Sequence, residues 1–346
     1  MDIKTLFKTA VQKKASDLHI LVGKPPILRI DGSLLELKET PYVKETVEEA
    51  VYSILTPLQR KMFEDDRELD ISYDLKNYGR FRVNLHFERE SPGMVARVVS
   101  TNVPTMDELS MPPITKKFTQ LRDGLILITG PTGCGKSTTL AAMTNEINTN
   151  RSVHIVTLED PIEFIFTPQK SIIRQRQLGS DMKSFKQGLK HVLRQDPNVI
   201  MVGEMRDLES IAATITLAET GHLVLATLHT LNASQTIDRI IDSFPPYQQS
   251  QVRIQLSMTL RAVVSQQLLK RVSGGRIAAR EILINNSAIS NLIRENKIAQ
   301  IKTVIQTSAE SGMVTMDNDL KRLLHEGLIS EENAKSHMIN PDAKIA

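Results

Sequence analysis

Gly130-Pro131-Thr132-Gly133-Cys134-Gly135-Lys136-Ser137-Thr138 fits G-x-x-x-x-G-K-[ST], the spacing of a phosphate-binding P-loop. The residue types follow from the chemistry. Glycines let backbone N–H groups close around phosphate oxygens, and a helix N-terminus adds the positive end of a dipole. Lys136 would reach the β- and γ-phosphates of ATP, and Ser137 would hold Mg2+. The flanks agree. Leu125–Thr129 is a short apolar run suited to a buried strand, and Leu140, Met143 and Ile147 recur at helical spacing.

Acidic residues end two further apolar runs. Val153–Leu158 leads into Glu159-Asp160-Pro161-Ile162-Glu163. Carboxylates at the end of a parallel strand face the ligand crevice, where they orient water or hold Mg2+ through water. The same residues also suit an ordinary acidic loop. Val199-Ile200-Met201-Val202-Gly203-Glu204 occupies the Walker B place, with glycine where an Asp is usual. Metal or water contact then shifts to Glu204. His222 and His229 bracket the apolar run Leu223–Leu228. A lone His at a strand end is usually a structural hydrogen-bonder. Two beside a P-loop are candidates for sensing the γ-phosphate. No further ligands lie at zinc spacing.

The elements that must position these residues divide the chain. Ile3, Leu6, Phe7, Ala10 and Val11 share a helical face. Leu18–Val22, Ile27–Ile30 and Leu34–Leu37 read as strands, with Asp31-Gly32 as a hairpin signal. Ile71–Leu75, Arg80–Phe87 and Met94–Val99 read as more strands around Asn77-Tyr78-Gly79 and Ser91-Pro92-Gly93. This predicts a smaller α+β domain over 1–100. Residues 101–113 hold three prolines and read as a linker. From 114 to 346 the pattern is α/β, with strands at Leu125–Thr129, Val153–Leu158, Val199–Val202 and Leu223–Leu228. Helices at Ser184–Arg194 and Leu208–Glu219 lie between them, which predicts a mainly parallel sheet with nucleotide at its strand C-termini. Val252–Leu260 fits a strand or a helix. Val263–Lys270 and Arg276–Ile284 flank a Ser273-Gly274-Gly275 turn, and Ala288–Ser308 and Met316–Glu326 read as helices.

Composition narrows the classes. A chain of 346 residues predicts two domains, and a net charge of +3 names no partner. Aromatics are 4% with no Trp, which weakens any base-stacking grip on nucleic acid, so no nucleic acid partner is expected. A single cysteine excludes an internal disulfide and a multi-cysteine zinc site. No run approaches a membrane span and no secretory leader is evident, which predicts a soluble cytoplasmic protein.

Taken together, these motifs resemble the secretion-ATPase superfamily, and within it the retraction ATPases of type IV pili. Ala15-Ser16-Asp17-Leu18-His19 resembles the family's ASDLH, and His154–Phe164 its Asp box. Val202–Asp207 resembles its unusual Walker B, and Ala218–His222 through Ala226–Thr230 its His box. The resemblance implies a RecA-like P-loop ATPase core preceded by a PAS-like domain. It implies a homohexamer that binds ATP and Mg2+, with an inner-membrane pilus platform protein as partner. It leaves room for a second retraction ATPase beside it. It implies a cytoplasmic protein held peripherally at the pilus machine. Among the residues, it makes Glu163 the general base and Glu204 the Walker B acid. Arg80, Arg82 and Arg97 fall where the family supplies charge to a neighbouring subunit's phosphates.

Retraction rather than assembly is suggested by the short chain and the missing four-cysteine motif. Ala288–Glu295 also resembles the retraction-specific AIRNLIRE, with Ser290 in place of Arg. An accessory retraction ATPase, an assembly or type II secretion ATPase, and a nucleic-acid translocase are the rival readings. Cys134 replaces the usual Ser in the P-loop, and a thiol there is a candidate for alkylation.

Overall fold

The computed structural model describes residues 2–30 and 32–338. Its contacts divide the chain into two units, Met1–Asn102 with Glu163–Ile165, and Val103–Ile162 with Phe166–Ala346.

The first unit runs α1 (Ile3–Gln12), β1 (Asp17–Ile20), β2 (Ile27–Ile30), β3 (Ser33–Glu36), α2 (Lys44–Tyr52), α3 (Pro57–Asp66), β4 (Glu68–Leu75), β5 (Gly79–Glu88) and β6 (Ser91–Val99). Its six strands form one antiparallel sheet in the order β3-β2-β1-β6-β5-β4. The hairpin foreseen at Asp31-Gly32 joins β2 to β3. Gly32 has φ +84°, while Asp31 is outside the described residues. One face is apolar. Phe81, Val83 and Leu85 of β5 and Leu18 of β1 are fully buried against Leu6 and Phe7 of α1. Phe7 and Phe81 ring centroids are 4.4 Å apart. Helix α3 is started by a capping box, with Gln59 N–H donating to the Thr56 hydroxyl and the Gln59 side chain accepting from Thr56 N–H.

The other face is polar and its rows are set by register. Arg29, Asp17, Arg97, Arg82 and Ser72 stand side by side across five strands. Asp17 is 4% exposed and accepts from Arg97 Nε at 2.8 Å and from Ser16 Oγ at 2.8 Å. Burial raises its pKa, but the bonds from Arg97 and Ser16 outweigh that and hold it below the ordinary 3.8. Arg80 lies 3.8 Å from Asp74. Among the described residues Arg82 makes no side-chain hydrogen bond or ion pair.

The second unit begins with residues 103–113, foreseen within a linker. They lie down on its core, where Met106 and Met111 are buried. Then follow α4 (Ile114–Thr119), β7 (Gly124–Thr129), α5 (Lys136–Asn150), β8 (His154–Glu159), β9 (Ile172–Gln177), α6 (Phe185–Val192), β10 (Val199–Val202), α7 (Leu208–Glu219) and β11 (Leu223–Leu228). The chain continues through α8 (Ala233–Asp242), α9 (Pro246–Thr259), β12 (Leu260–Lys270), β13 (Arg276–Ile284), α10 (Ser287–Arg294), α11 (Ile301–Thr307), α12 (Met316–His325) and α13 (Glu331–His337). The sheet order is β13-β12-β7-β11-β10-β8-β9, parallel except for β13.

A parallel sheet is covered on both faces, so β7, β10 and β11 are buried at every position. Alternation sends Leu125 and Leu127 into one core and Ile126 and Ile128 into the other. This is the RecA-like architecture. Strand β11 stands between the P-loop strand β7 and the acidic strand β10. The ambiguous Val252–Leu260 is helical to Thr259, and β12 starts at Leu260. The single helix foreseen over Ala288–Ser308 is two, α10 and α11. Ser290 turns inward, with Oγ 2.9 Å from Ser257 O and 3.0 Å from Asn285 Oδ1. Serine in the AIRNLIRE-like motif thus ties α10 to the end of α9.

Because the folded pKa of Asp17 is below its unfolded value, its stabilisation is present above about pH 4 and fades as pH falls through the folded pKa. Asp17→Asn should lose about 1–2 kcal/mol at pH 7. Denaturation of the two proteins followed from pH 7 to pH 3 should show that gap closing in acid.

Candidate nucleotide site

The P-loop joins β7 to α5 and lies at the C-terminal edge of the parallel sheet. Its glycines answer to the backbone. Gly133 and Gly135 have φ of +79° and +89°, a region costly for any side chain. A Cβ on Gly130 would sit 2.3 Å from the Gln266 carbonyl oxygen and 2.6 Å from Cys134 Sγ. Pro131, Thr132 and Gly133 are exposed at the mouth, whereas Lys136 is 8% exposed. Helix α5 carries no acidic residue in its first turn, where carboxylates usually complement the dipole. The positive end is thus left for an incoming anion. Ser137 and Thr138 open the helix beside it.

Lys136 Nζ donates to Gly130 O at 2.8 Å and Pro131 O at 3.0 Å. His229, one residue past β11, lies with Nδ1 3.5 Å from Lys136 Nζ and 3.4 Å from Thr132 Oγ1. Its Nε2 is 2.9 Å from Glu204 Oε1. The other Glu204 oxygen accepts from Arg206 Nε at 3.0 Å, and Arg206 Nη1 reaches Asp160 Oδ2 at 3.2 Å. A continuous polar line thus crosses the ends of β7, β11, β10 and β8. Strand order causes it, since β11 delivers His229 midway between lysine and carboxylate.

Gly203, where the usual Walker B pattern has Asp, lies close against the end of β8. Its N–H donates to Leu158 O at 2.8 Å, and its carbonyl accepts from the Thr227 hydroxyl. A Cβ there would lie 3.3 Å from Leu158 O and 3.4 Å from Glu159 Cα. A side chain at 203 would crowd the end of β8, and the carboxylate stands one residue later, at Glu204.

Several residues differ from the reading above. His222 is at the opposite edge of the sheet from His229, seven residues or about 23 Å of extended strand away. It does not join His229 at the P-loop. Its Nδ1 lies 3.0 Å from Leu217 O and 3.1 Å from Thr220 Oγ1, closing the C-terminus of α7. Glu159 is 6% exposed and accepts from Thr157 Oγ1 and, at 3.1 Å, from Gln175 Nε2. It braces β8 against β9, and Asp160 is the carboxylate of that pair in the polar line. Glu163 is exposed and belongs with the first unit, where its neighbours Phe164 and Ile165 bridge to Ser100. Cys134 is 3% exposed, and burial pushes its thiol above the ordinary 9.0 despite the pull of Lys136. It is therefore a poor alkylation target, contrary to expectation.

Two residues had no signal in spacing alone. Arg206 lies two residues after Glu204 in the loop that follows β10. Gln266 lies in β12, buried among apolar residues.

A group of three or more His, Cys, Asp or Glu side chains fit to hold a metal is absent among the described residues. The donors near the P-loop are the Ser137 hydroxyl and the Glu204 carboxylate. That pair suits Mg2+, which keeps several waters and arrives with phosphate oxygens rather than in an all-protein cage. Among the described residues no helix is long and apolar enough to cross a membrane.

Residues 1–326 match the family model of the Type II/IV secretion system protein. The chain is 45% identical over 342 residues to the Type IV pilus retractation ATPase PilT of Pseudomonas aeruginosa, covering 99% of each. It is 41% identical over 338 residues to the Type IV pilus ATPase PilU of the same organism, covering 97% of this chain and 88% of the other. A crystal structure of the pilus retraction motor PilT with bound ADP superposes with a TM-score of 0.91 at 42% identity, covering 99% and 98%.

Thiol chemistry gives a direct check of the loop. At pH 8 the native chain should react with a disulfide reagent at least about tenfold more slowly than the denatured chain. The native rate should keep rising above pH 9, since thiolate is scarce below that value. Equal rates would mean an open P-loop.

Proposed function

The chain belongs to the Type II/IV secretion system protein family, and from that premise we propose that it is the ATP-hydrolysing motor that retracts type IV pili. One observation carries the reading. Over 99% of its length the chain matches a retraction ATPase, and its P-loop Lys136 stands in one polar line with His229 and Glu204.

The chemistry follows from the residues. ATP phosphates would displace the carbonyls from Lys136 and take the P-loop N–H groups and the N-terminus of α5. Mg2+, held by Ser137 and phosphate oxygens with Glu204 nearby, would neutralise developing charge. For Glu204 to turn to the metal it must release His229 or Arg206. That exchange would report phosphate occupancy along the line to Asp160. Glu163, three residues on, would activate the attacking water as general base.

We further propose a homohexamer in which arginines of one subunit reach the phosphates of the next. Arg97 is engaged by Asp17 and Arg80 lies near Asp74, which leaves Arg82 as the readiest guanidinium to act in trans. The ring would act on an inner-membrane platform protein of the pilus from the cytoplasmic side. The likeness to PilU favours one second reading, an accessory retraction ATPase that works beside a principal one.

Surface pili imaged by fluorescence in a deletion strain distinguish these. Pili that extend but no longer shorten, rescued by wild type and not by Lys136→Ala, are expected. Normal retraction in the deletion strain would favour the accessory role, and cells without pili would point to assembly. In vitro, Lys136→Ala should reduce hydrolysis below about one hundredth of wild type. Arg82→Ala should lower kcat by about tenfold or more with little change in nucleotide affinity, and Arg97→Ala should have the smaller effect.

A further inference from the structure

We infer that Gln266 is a positioning residue for nucleotide binding, whose carboxamide holds the P-loop in its phosphate-binding shape. This rests on the ATPase reading above.

Gln266 sits in β12, is 1% exposed, and uses both ends of its amide. Nε2 donates to Cys134 O at 2.8 Å, and Oε1 accepts from Thr139 Oγ1 at 2.9 Å. The orientation is fixed by chemistry. A carbonyl only accepts, so the amino end must face Cys134 and the oxygen must face Thr139. Cys134 lies in the loop and Thr139 in the first turn of α5. One rigid side chain therefore spans the loop and the helix start behind it.

The bond to Cys134 O has a consequence for the anion. In a planar trans peptide the C=O and the next N–H point in opposite directions. Holding Cys134 O against β12 turns the Gly135 N–H away from β12. A P-loop binds phosphate through such outward N–H groups. Among the described residues Gln266 supplies the buried donor that fixes the direction of that peptide. The bond to Thr139 sets the helix N-terminus, and with it the dipole, relative to the same loop.

The backbone packs to the same point. Register places Ser265 of β12 opposite Thr129 of β7, and their hydroxyls are 2.8 Å apart. Gly130 then lies on the carbonyl of Gln266, with no room for a Cβ. Loop, strand and helix are thus joined at one buried residue.

The test is titration of Mg2+·ADP into the full-length chain, with melting temperature recorded with and without ADP. Wild type must bind; if it does not, the ATPase reading fails and this inference with it. Gln266→Leu should weaken ADP at least about tenfold and shrink the ADP-induced rise in melting temperature. Gln266→Glu adds a readout that a packing role would not move. Only its protonated carboxyl can donate to Cys134 O, so its ADP affinity relative to wild type should recover as pH is lowered. ADP affinities of both variants within about twofold of wild type, with no such pH dependence, overturn the inference and leave the ATPase reading intact. Should Gln266→Leu fail to fold, Thr139→Val decides. A loss of about threefold or more supports the inference, and unchanged affinity overturns it.

Discussion

An ammonium group buried at Lys136 is the constraint on which the site is built. A buried cation must be paired or solvated, because its desolvation is costly. Here two main-chain carbonyls, Gly130 and Pro131, fill that need. With the Pro131 carbonyl turned inward, the Thr132 N–H of the same peptide is turned outward, and glycine meets the positive φ at 133 and 135.

Strand order then determines what the lysine sees. Inserting β11 between β7 and β10 puts His229 between Lys136 and Glu204. A fold with β10 directly beside β7 would bring the carboxylate to the lysine and leave no place for a histidine. Arg206 extends the line to Asp160, three residues before the exposed Glu163. Lys136, His229, Glu204, Arg206 and Asp160 thus form one connected set of polar partners. The first unit's polar face adds its own order, with Asp17 fixing Arg97 while Arg82 stands without a partner among the described residues.

Much of this was readable from the chain. The P-loop, the parallel strands and their acidic ends follow from short apolar runs and motif spacing, because parallel strands buried on both faces have a plain signature. His222 was misread because two histidines flanking one strand look equivalent in sequence, while a six-residue strand separates them by the depth of the sheet. Glu159 and Asp160 are adjacent but face opposite ways, which a list of acidic residues does not reveal. Helix α3 had a signal in Thr56 and Gln59 that apolar periodicity overlooks. Gln266 had none, since a lone polar residue in an apolar strand gains meaning only when register places it against the loop.

The most direct test of the account is phosphate release by Glu204→Gln in protein shown to bind ATP. The substitution keeps size and one acceptor oxygen, turns the other oxygen into an NH2 donor, and removes the charge that would face the metal. The account predicts ATP bound with near wild-type affinity and turnover reduced by about two orders of magnitude or more. Turnover within a few-fold of wild type would contradict it, because the carboxylate at the centre of the polar line would then have no part in hydrolysis.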